Sequence, residues 1–430
     1  MAEFVATVYQ NEFLPDGGTD VNAIVTITCT GAGTAGQSAT GTVGSSTAGE
    51  IIIVDTSGSM GHETMEGAKD AAQAALAEIV DGTRFAVIAG TDSAFLAYPL
   101  VQDGPALAVM DAQSREEASS AISQFRASGG TAIGSWLDLA GSVFASVPEV
   151  TQRHAILLTD GENGEQPARL DAAIQRATGY FQCDCRGAGT DWKVEELRRV
   201  AQALLGTVDI IPSPSEMREE FRTIMQTAMG RGVADAQLRV WSPQGAQVLF
   251  VRQVAPTVED LSDRRTTVNP LTGGYPTGAW GDESRDYHVA VRLPAKAVGQ
   301  EQLAARVQLA LGDDVVTQGL VKATWSNDSE LTAKIDKQVA HYTGQVELAS
   351  MIQEGLAAKA AGDGATATTK LGRAVQLAAE TGNAEATTRL RKVVDVDDEK
   401  EGTVRLKRTV DKADEMALDT ASTKTTRIKK

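Results

Sequence analysis

"IIIVDTSGSM", residues 51–60, decides the fold. Ile51 to Val54 form an unbroken apolar run of β-branched side chains, short enough for a strand and apolar on both faces, as a central strand of a parallel sheet must be. The run ends abruptly in Asp55, Thr56, Ser57 and Ser59. A buried strand that ends in four oxygen-bearing side chains must offer them backbone donors, water or an ion, because burying them unsatisfied is costly.

From residue 49 to about 230, short apolar runs alternate with stretches spaced as amphipathic helices. "RFAVIAG", "AFLAYPLV", "HAILLTD", "YFQCDC" and "VDIIP" read as strands; "GAKDAAQAALAEIV", "REEASSAISQF", "IGSWLDLAGSVFASV", "LDAAIQRA" and "VEELRRVAQALL" read as helices. This alternation predicts a mostly parallel sheet with helices on both faces. The "GTDSA" turn between two neighbouring strand runs adds one hairpin, hence one antiparallel edge strand.

Outside this region the texture changes. "VNAIVTITCT" alternates as a half-buried strand, and the Gly/Ser/Thr-rich "GAGTAGQSATGTVGSSTAGE" after it reads as a linker. Residues 234–326 read as short strands parted by turns such as "WSPQG" and "NPLTGGYPTG", which predicts a β-sandwich. The strands of residues 3–30 have no helical partner nearby, so they are expected to join that sandwich, leaving the α/β region as an insertion within it. Beyond residue 329 the pattern is helical and Ala-rich. Residues 401–430, ending "ALDTASTKTTRIKK", hold few large apolar groups and read as a disordered tail. The expected divisions are thus 1–48, 49–230, 231–328, 329–400 and 401–430.

The chain has 430 residues, 23% of them charged, with a formal net charge of −17. Its pI of about 4.8 and mean hydropathy of −0.16 are those of an acidic globular protein, a poor match for nucleic acid or anionic membrane surfaces. No run approaches the ~18 apolar residues of a membrane span, and no signal peptide is evident. Three cysteines, Cys29, Cys183 and Cys185, suit a reducing cytoplasm better than a disulfide framework.

Several motifs compete for a chemical role. Gly31, Gly33 and Gly36 make a GxGxxG after a strand, but a dinucleotide site needs a helix opening there, and "QSATGTVGSSTAG" supplies none. Cys183 and Cys185 share one face of a strand with Phe181, so core packing is expected for them. The four histidines, His62, His154, His288 and His341, have no zinc-ligand spacing, and His62 and Glu63 read as a solvated helix start. No GxSxG, HExxH or Walker sequence is present, so no catalytic machinery is expected.

"DTSGSM" after a strand has the D-x-S-x-S form of a metal-ion-dependent adhesion site and resembles the von Willebrand factor A family. "GGTAIGSWL" then supplies Thr131 before a helix, and "HAILLTDGENG" supplies Asp160 at a strand end, in the family's order. The resemblance implies a Rossmann-like, doubly wound α/β domain, here with a β-sandwich domain and a C-terminal helical segment. It implies a Mg2+ ion (or Mn2+ or Ca2+) held by Asp55, Ser57, Ser59, Thr131 and Asp160. Two carboxylates and three neutral hydroxyls supply fewer than the six oxygens of an octahedral ion, and the open position favours a carboxylate from a protein partner. Asp55 is expected on an exposed rim. The resulting expectation is a cytoplasmic bacterial adaptor, not an enzyme; the alternative is a subunit working beside a MoxR- or chelatase-type AAA+ ATPase. The tail's Thr420, Thr423, Thr425 and Thr426 are candidate phosphorylation sites, with a phosphothreonine-reading FHA domain as a possible partner.

Overall fold

A computed structural model describes residues 2–35, 47–100 and 107–428. Most of the Gly/Ser stretch, Gly36 and Val101 lie outside the described residues. The chain forms two compact units, one built mainly of residues 31–235 and the other of residues 3–30, 236–277 and 283–430.

The chain begins in the second unit with β1 (Glu3–Gln10), β2 (Phe13–Leu14) and β3 (Asp20–Thr30). The first unit follows: β4 (Ala48–Asp55), α1 (Gly61–Glu78), β5 (Arg84–Gly90), β6 (Ala94–Tyr98), β7 (Ala108–Val109), α2 (Ala112–Ser123), α3 (Ile133–Ala145), β8 (Gln152–Thr159), α4 (Pro167–Ala177), β9 (Gln182–Ala188), α5 (Val194–Ala203), β10 (Val208–Ile211) and α6 (Pro214–Met229). Its sheet runs β10-β9-β8-β4-β5-β6, with β7 also on β5. The pairs β10–β9, β9–β8, β8–β4 and β4–β5 are parallel, and β6 and β7 are antiparallel to β5.

β4 is buried at every position because it is paired on both sides and covered on both faces. Ile52 and Val54 point into the cluster formed with Met65, Ala68, Ala72, Met217 and Phe221 of α1 and α6. The alternate residues face α3: a Cβ on Gly49 would lie 3.3 Å from the Phe144 ring. At Gly90 the Trp136 ring of α3 rests on bare backbone, where a Cβ would come within 2.4 Å of it, so only glycine fits.

At the opposite strand ends from Asp55 and Asp160, three neighbouring strands share a buried ionic cluster. His154 on β8 bonds Glu50 on β4 through Nδ1 at 2.6 Å and Asp184 on β9 through Nε2 at 3.0 Å. Asp184 Oδ1 also accepts from the Thr207 hydroxyl and amide. Burial by itself would pull the imidazole pKa down, but the two carboxylates hold it up at about 9. Cys183 and Cys185 are wholly buried free thiols.

The second unit continues with β11 (Gln237–Trp241), β12 (Gln247–Ala255), β13 (Glu259–Asp260), β14 (Thr266–Asn269), β15 (Thr272–Pro276), β16 (Ser284–Arg292), β17 (Glu301–Leu311) and β18 (Asp314–Trp325). One sheet has the order β1-β3-β16-β12-β13 and the other β14-β15-β11-β17-β18-β2. β3 pairs antiparallel with both β1 and β16, so the N-terminal strands lie in the same sheets as strands more than 200 residues further on. The sheets meet closely at Gly319 of β18, where a Cβ would stand 2.5 Å from Val8 of β1.

Four helical elements come next: α7 (Ser329–Thr332), α8 (Lys337–Ala360), α9 (Gly364–Glu380) and α10 (Ala384–Val393). The hairpin β19 (Val394–Asp398)–β20 (Thr403–Leu406) and α11 (Lys412–Ala421) complete the unit. α8 packs Val339 and Tyr342 against Ile24 and Val254 of the first sheet.

The expected disordered tail is a correction. Residues 401–428 carry β20 and α11, whose Leu418 joins a core with Leu348, Ile352 and Leu390. Thr423 O accepts from Val258 N at 2.7 Å, Thr425 Oγ1 donates to Val254 O at 2.7 Å, and Thr426 Oγ1 accepts from Gln345 at 3.1 Å. Thr420 is buried. These threonines are packed and bonded rather than displayed, so the segment is not a free phosphoacceptor tail for an FHA domain. Composition misleads here because a few apolar side chains suffice when they dock on helices already formed.

Candidate metal centre

β4 and β8 are adjacent and parallel, so Asp55 and Asp160 emerge at the same edge of the sheet. Ligands of open α/β sheets bind outside this edge, where strands end and loops diverge. The loop after β4 turns back at once: Ser57 N donates to Asp55 Oδ1 at 2.7 Å, and Gly58 N donates to Gly129 O at 2.9 Å. The second bond brings the "GGT" turn before α3, and with it Thr131, to the same place.

The side chains then form a chain of contacts. Ser57 Oγ and Ser59 Oγ are 2.9 Å apart, and Ser59 donates to Asp160 Oδ1 at 2.6 Å. A Cβ on Gly161 would lie 3.0 Å from Ser59 Oγ and 3.1 Å from Thr131 Oγ1, so these two hydroxyls flank a space that any larger residue would enter. Ser57, Ser59, Thr131 and Asp160 thus lie side by side. Asp55 differs from expectation. It is fully buried, not on a rim, because Thr159 Oγ1 of β8 donates to its Oδ2 at 2.5 Å across the strand pair.

Burial raises the Asp55 pKa, opposed by the bonds from Ser57 and Thr159. Burial also pushes Asp160 up to about 6; the Ser59 bond opposes this, and the charges of Asp55 and Asp191 add to it. Among the described residues neither carboxylate is ion-paired with a basic side chain. Two neighbouring carboxylates in a low-dielectric site without a cation repel each other and resist ionisation. A divalent ion would relieve both. The donors are all oxygen, as Mg2+, Mn2+ or Ca2+ requires. Among the described residues, no group of three or more His, Cys, Asp or Glu is placed to hold a metal. His62 and Glu63 are exposed at the start of α1.

Sequence reading missed Thr159, Gly161, Asn163 and Glu165. Asn163 Oδ1 accepts from Ile133 N at 3.0 Å and Glu165 Oε2 from Gly134 N at 2.7 Å, satisfying the first amides of α3. The available signal was negative: α3 begins after Ala132, which has no side-chain acceptor to cap it, so its first amides need partners from elsewhere in the fold or from water.

Residues 50–210 match the model of the von Willebrand factor type A domain, and residues 376–422 that of the von Willebrand factor type A C-terminal domain. The solved structure of a von Willebrand factor type A protein from Catenulispora acidiphila is 46% identical, with a TM-score of 0.91 over 99% of this chain and 97% of that one. The ArnB paralogue VWA2 from Sulfolobus acidocaldarius, at 14% identity and a TM-score of 0.56 over 98% of both chains, shares the fold. An uncharacterized protein of Synechocystis sp. is 30% identical over 218 residues, 49% of each chain, so the match spans about half the length of that curated relative. Similarity that runs the length of a solved relative decides the matter: the chain belongs to the von Willebrand factor type A family.

Proposed function

We propose that this chain is a divalent-cation-dependent protein-binding module rather than an enzyme. Asp55, Ser57, Ser59, Thr131 and Asp160 would hold Mg2+, with Mn2+ or Ca2+ as substitutes. The observation that supports the reading is the pair of carboxylates at adjacent strand ends, flanked by hydroxyls and without a basic partner among the described residues. Bound there, the ion would supply a positive centre for a carboxylate offered by another protein. The chain's own part is to hold Asp55 through Ser57 N and Thr159, to hold Asp160 through Ser59, and to keep Thr131 beside them.

No helix among the described residues is long and apolar enough to cross a membrane; a cytoplasmic setting is part of this proposal. The test is a calorimetric titration of Mg2+ and Mn2+ into wild type and Asp55→Ala, followed by affinity capture with Mg2+ or with EDTA. Binding lost in Asp55→Ala, together with EDTA-released proteins, supports the reading. Equal metal affinity in the two proteins rejects it. An AAA+ ATPase among the released proteins, with its activity dependent on this chain, would turn the adaptor into an ATPase subunit.

A further inference from the structure

The loop of residues 161–166, "GENGEQ", makes more contacts with the start of α3 than a connecting loop requires. Gly164 N donates to Thr131 O at 2.7 Å. Asn163 Oδ1 accepts from Ile133 N at 3.0 Å, and Glu165 Oε2 accepts from Gly134 N at 2.7 Å. On the other side, Ala132 N donates to Thr91 O at 2.9 Å. Thr131 is therefore fixed through its own carbonyl and through the amides of the three residues after it. The fit is close: a Cβ on Gly134 would lie 2.6 Å from Glu165 Oε2. Asn163 is itself anchored, its backbone N–H donating to Glu196 Oε2 of α5 at 3.2 Å.

This loop directly follows Asp160, so the segment that carries one proposed metal donor also clamps the element that carries another. From this geometry we infer that Asn163 and Glu165 are positioning residues of the metal centre, setting the place of Thr131 relative to Asp160. The inference rests on the metal reading above. It assigns the two side chains no contact with the ion. They act by holding the backbone that carries a ligand, and loss of a group that orients a metal ligand commonly weakens metal binding about 10- to 100-fold. They also replace the cap that α3 lacks, since an amide or carboxylate oxygen on the first free N–H groups does what an N-cap side chain does.

The test uses the full chain and Mn2+ alone, with affinity measured by calorimetry and folding checked by thermal unfolding in EDTA. Glu165→Ala and Asn163→Ala should each bind Mn2+ about tenfold or more weakly. Glu165→Gln keeps an acceptor oxygen for Gly134 N and should stay within about threefold of wild type. Glu162→Gln removes a charge from the same loop, at an exposed residue paired with Lys193 at 2.7 Å, and should leave affinity unchanged. A purely structural role would lower the unfolding temperature in EDTA without moving Mn2+ affinity, and that result overturns the inference. So does a Glu165→Gln protein as weak as Glu165→Ala, or an equal loss in Glu162→Gln, since either would make charge the cause. If Glu165→Ala fails to fold, Asn163→Ala decides. A wild type that binds no Mn2+ overturns the metal reading instead, and this inference falls with it.

Discussion

The Ser59 hydroxyl donates to Asp160 Oδ1 at 2.6 Å, joining the loop after β4 to the end of β8. Ser59 and Asp160 are 101 positions apart in the chain, and the contact exists only because their strands are neighbours. Gly161, next to Asp160, leaves open the space beside Ser59 and Thr131. Gly161→Ala would place a methyl group 3.0 and 3.1 Å from those hydroxyls. Mg2+ affinity should fall about tenfold while the metal-free protein loses roughly 1 kcal/mol or less. Calorimetric titration beside thermal unfolding in EDTA checks both, and unchanged affinity counts against the site.

Asp160 should make the proposed metal binding pH-dependent. Burial is the main reason its pKa stands near 6 instead of the usual 3.8. A raised folded pKa means that the protonated form favours folding. The stabilising contribution of this group is full below about 4 and is lost as pH rises through about 6. A cation has the opposite preference, since it needs the carboxylate. The rise in unfolding temperature produced by saturating Mg2+ should therefore shrink between pH 7 and pH 5. A rise that stays constant over that interval contradicts the prediction.

His154 should contribute in the same sense as Asp160 does in the metal-free protein, over a higher pH window. Although burial disfavours its charge, Glu50 and Asp184 raise its pKa to about 9. Its contribution to stability is full below about 6.5 and is lost as pH rises through about 9. His154→Asn would leave two buried carboxylates without their cation, at a cost of roughly 3–5 kcal/mol. Chemical unfolding at pH 7 and pH 9.5 tests this: the gap between wild type and variant should narrow at the higher pH.

In the second unit, Arg427 reaches back to Asp286 on β16 at 3.1 Å, and the Tyr342 hydroxyl of α8 donates to the same carboxylate oxygen. Asp286 is buried, and its other oxygen has no hydrogen-bond partner among the described residues. Arg427→Ala should destabilise this unit by about 1–3 kcal/mol, less than a fully buried pair would cost because the arginine is 44% exposed. Hydrogen exchange should then quicken at Thr425 N, which donates to Pro256 O at 3.0 Å. Unchanged protection there would show that the segment is held without Arg427.

The sequence by itself determined the parallel sheet, its antiparallel edge and the oxygen donors at its strand ends. Strand and helix periodicity are local properties, and Asp55, Ser57 and Ser59 lie within a single turn. Tertiary structure alone decided that Asp55 is buried, because Thr159 faces it from another strand. It decided the capping of α3 by Asn163 and Glu165, whose partners lie some thirty residues away. It also decided that residues 412–428 fold, because their apolar side chains are too few to hold a structure alone and gain their burial from helices and a sheet edge formed elsewhere. Sequence patterns report what a segment prefers, whereas burial, long-range hydrogen bonds and unpaired charge depend on which segments the fold brings together.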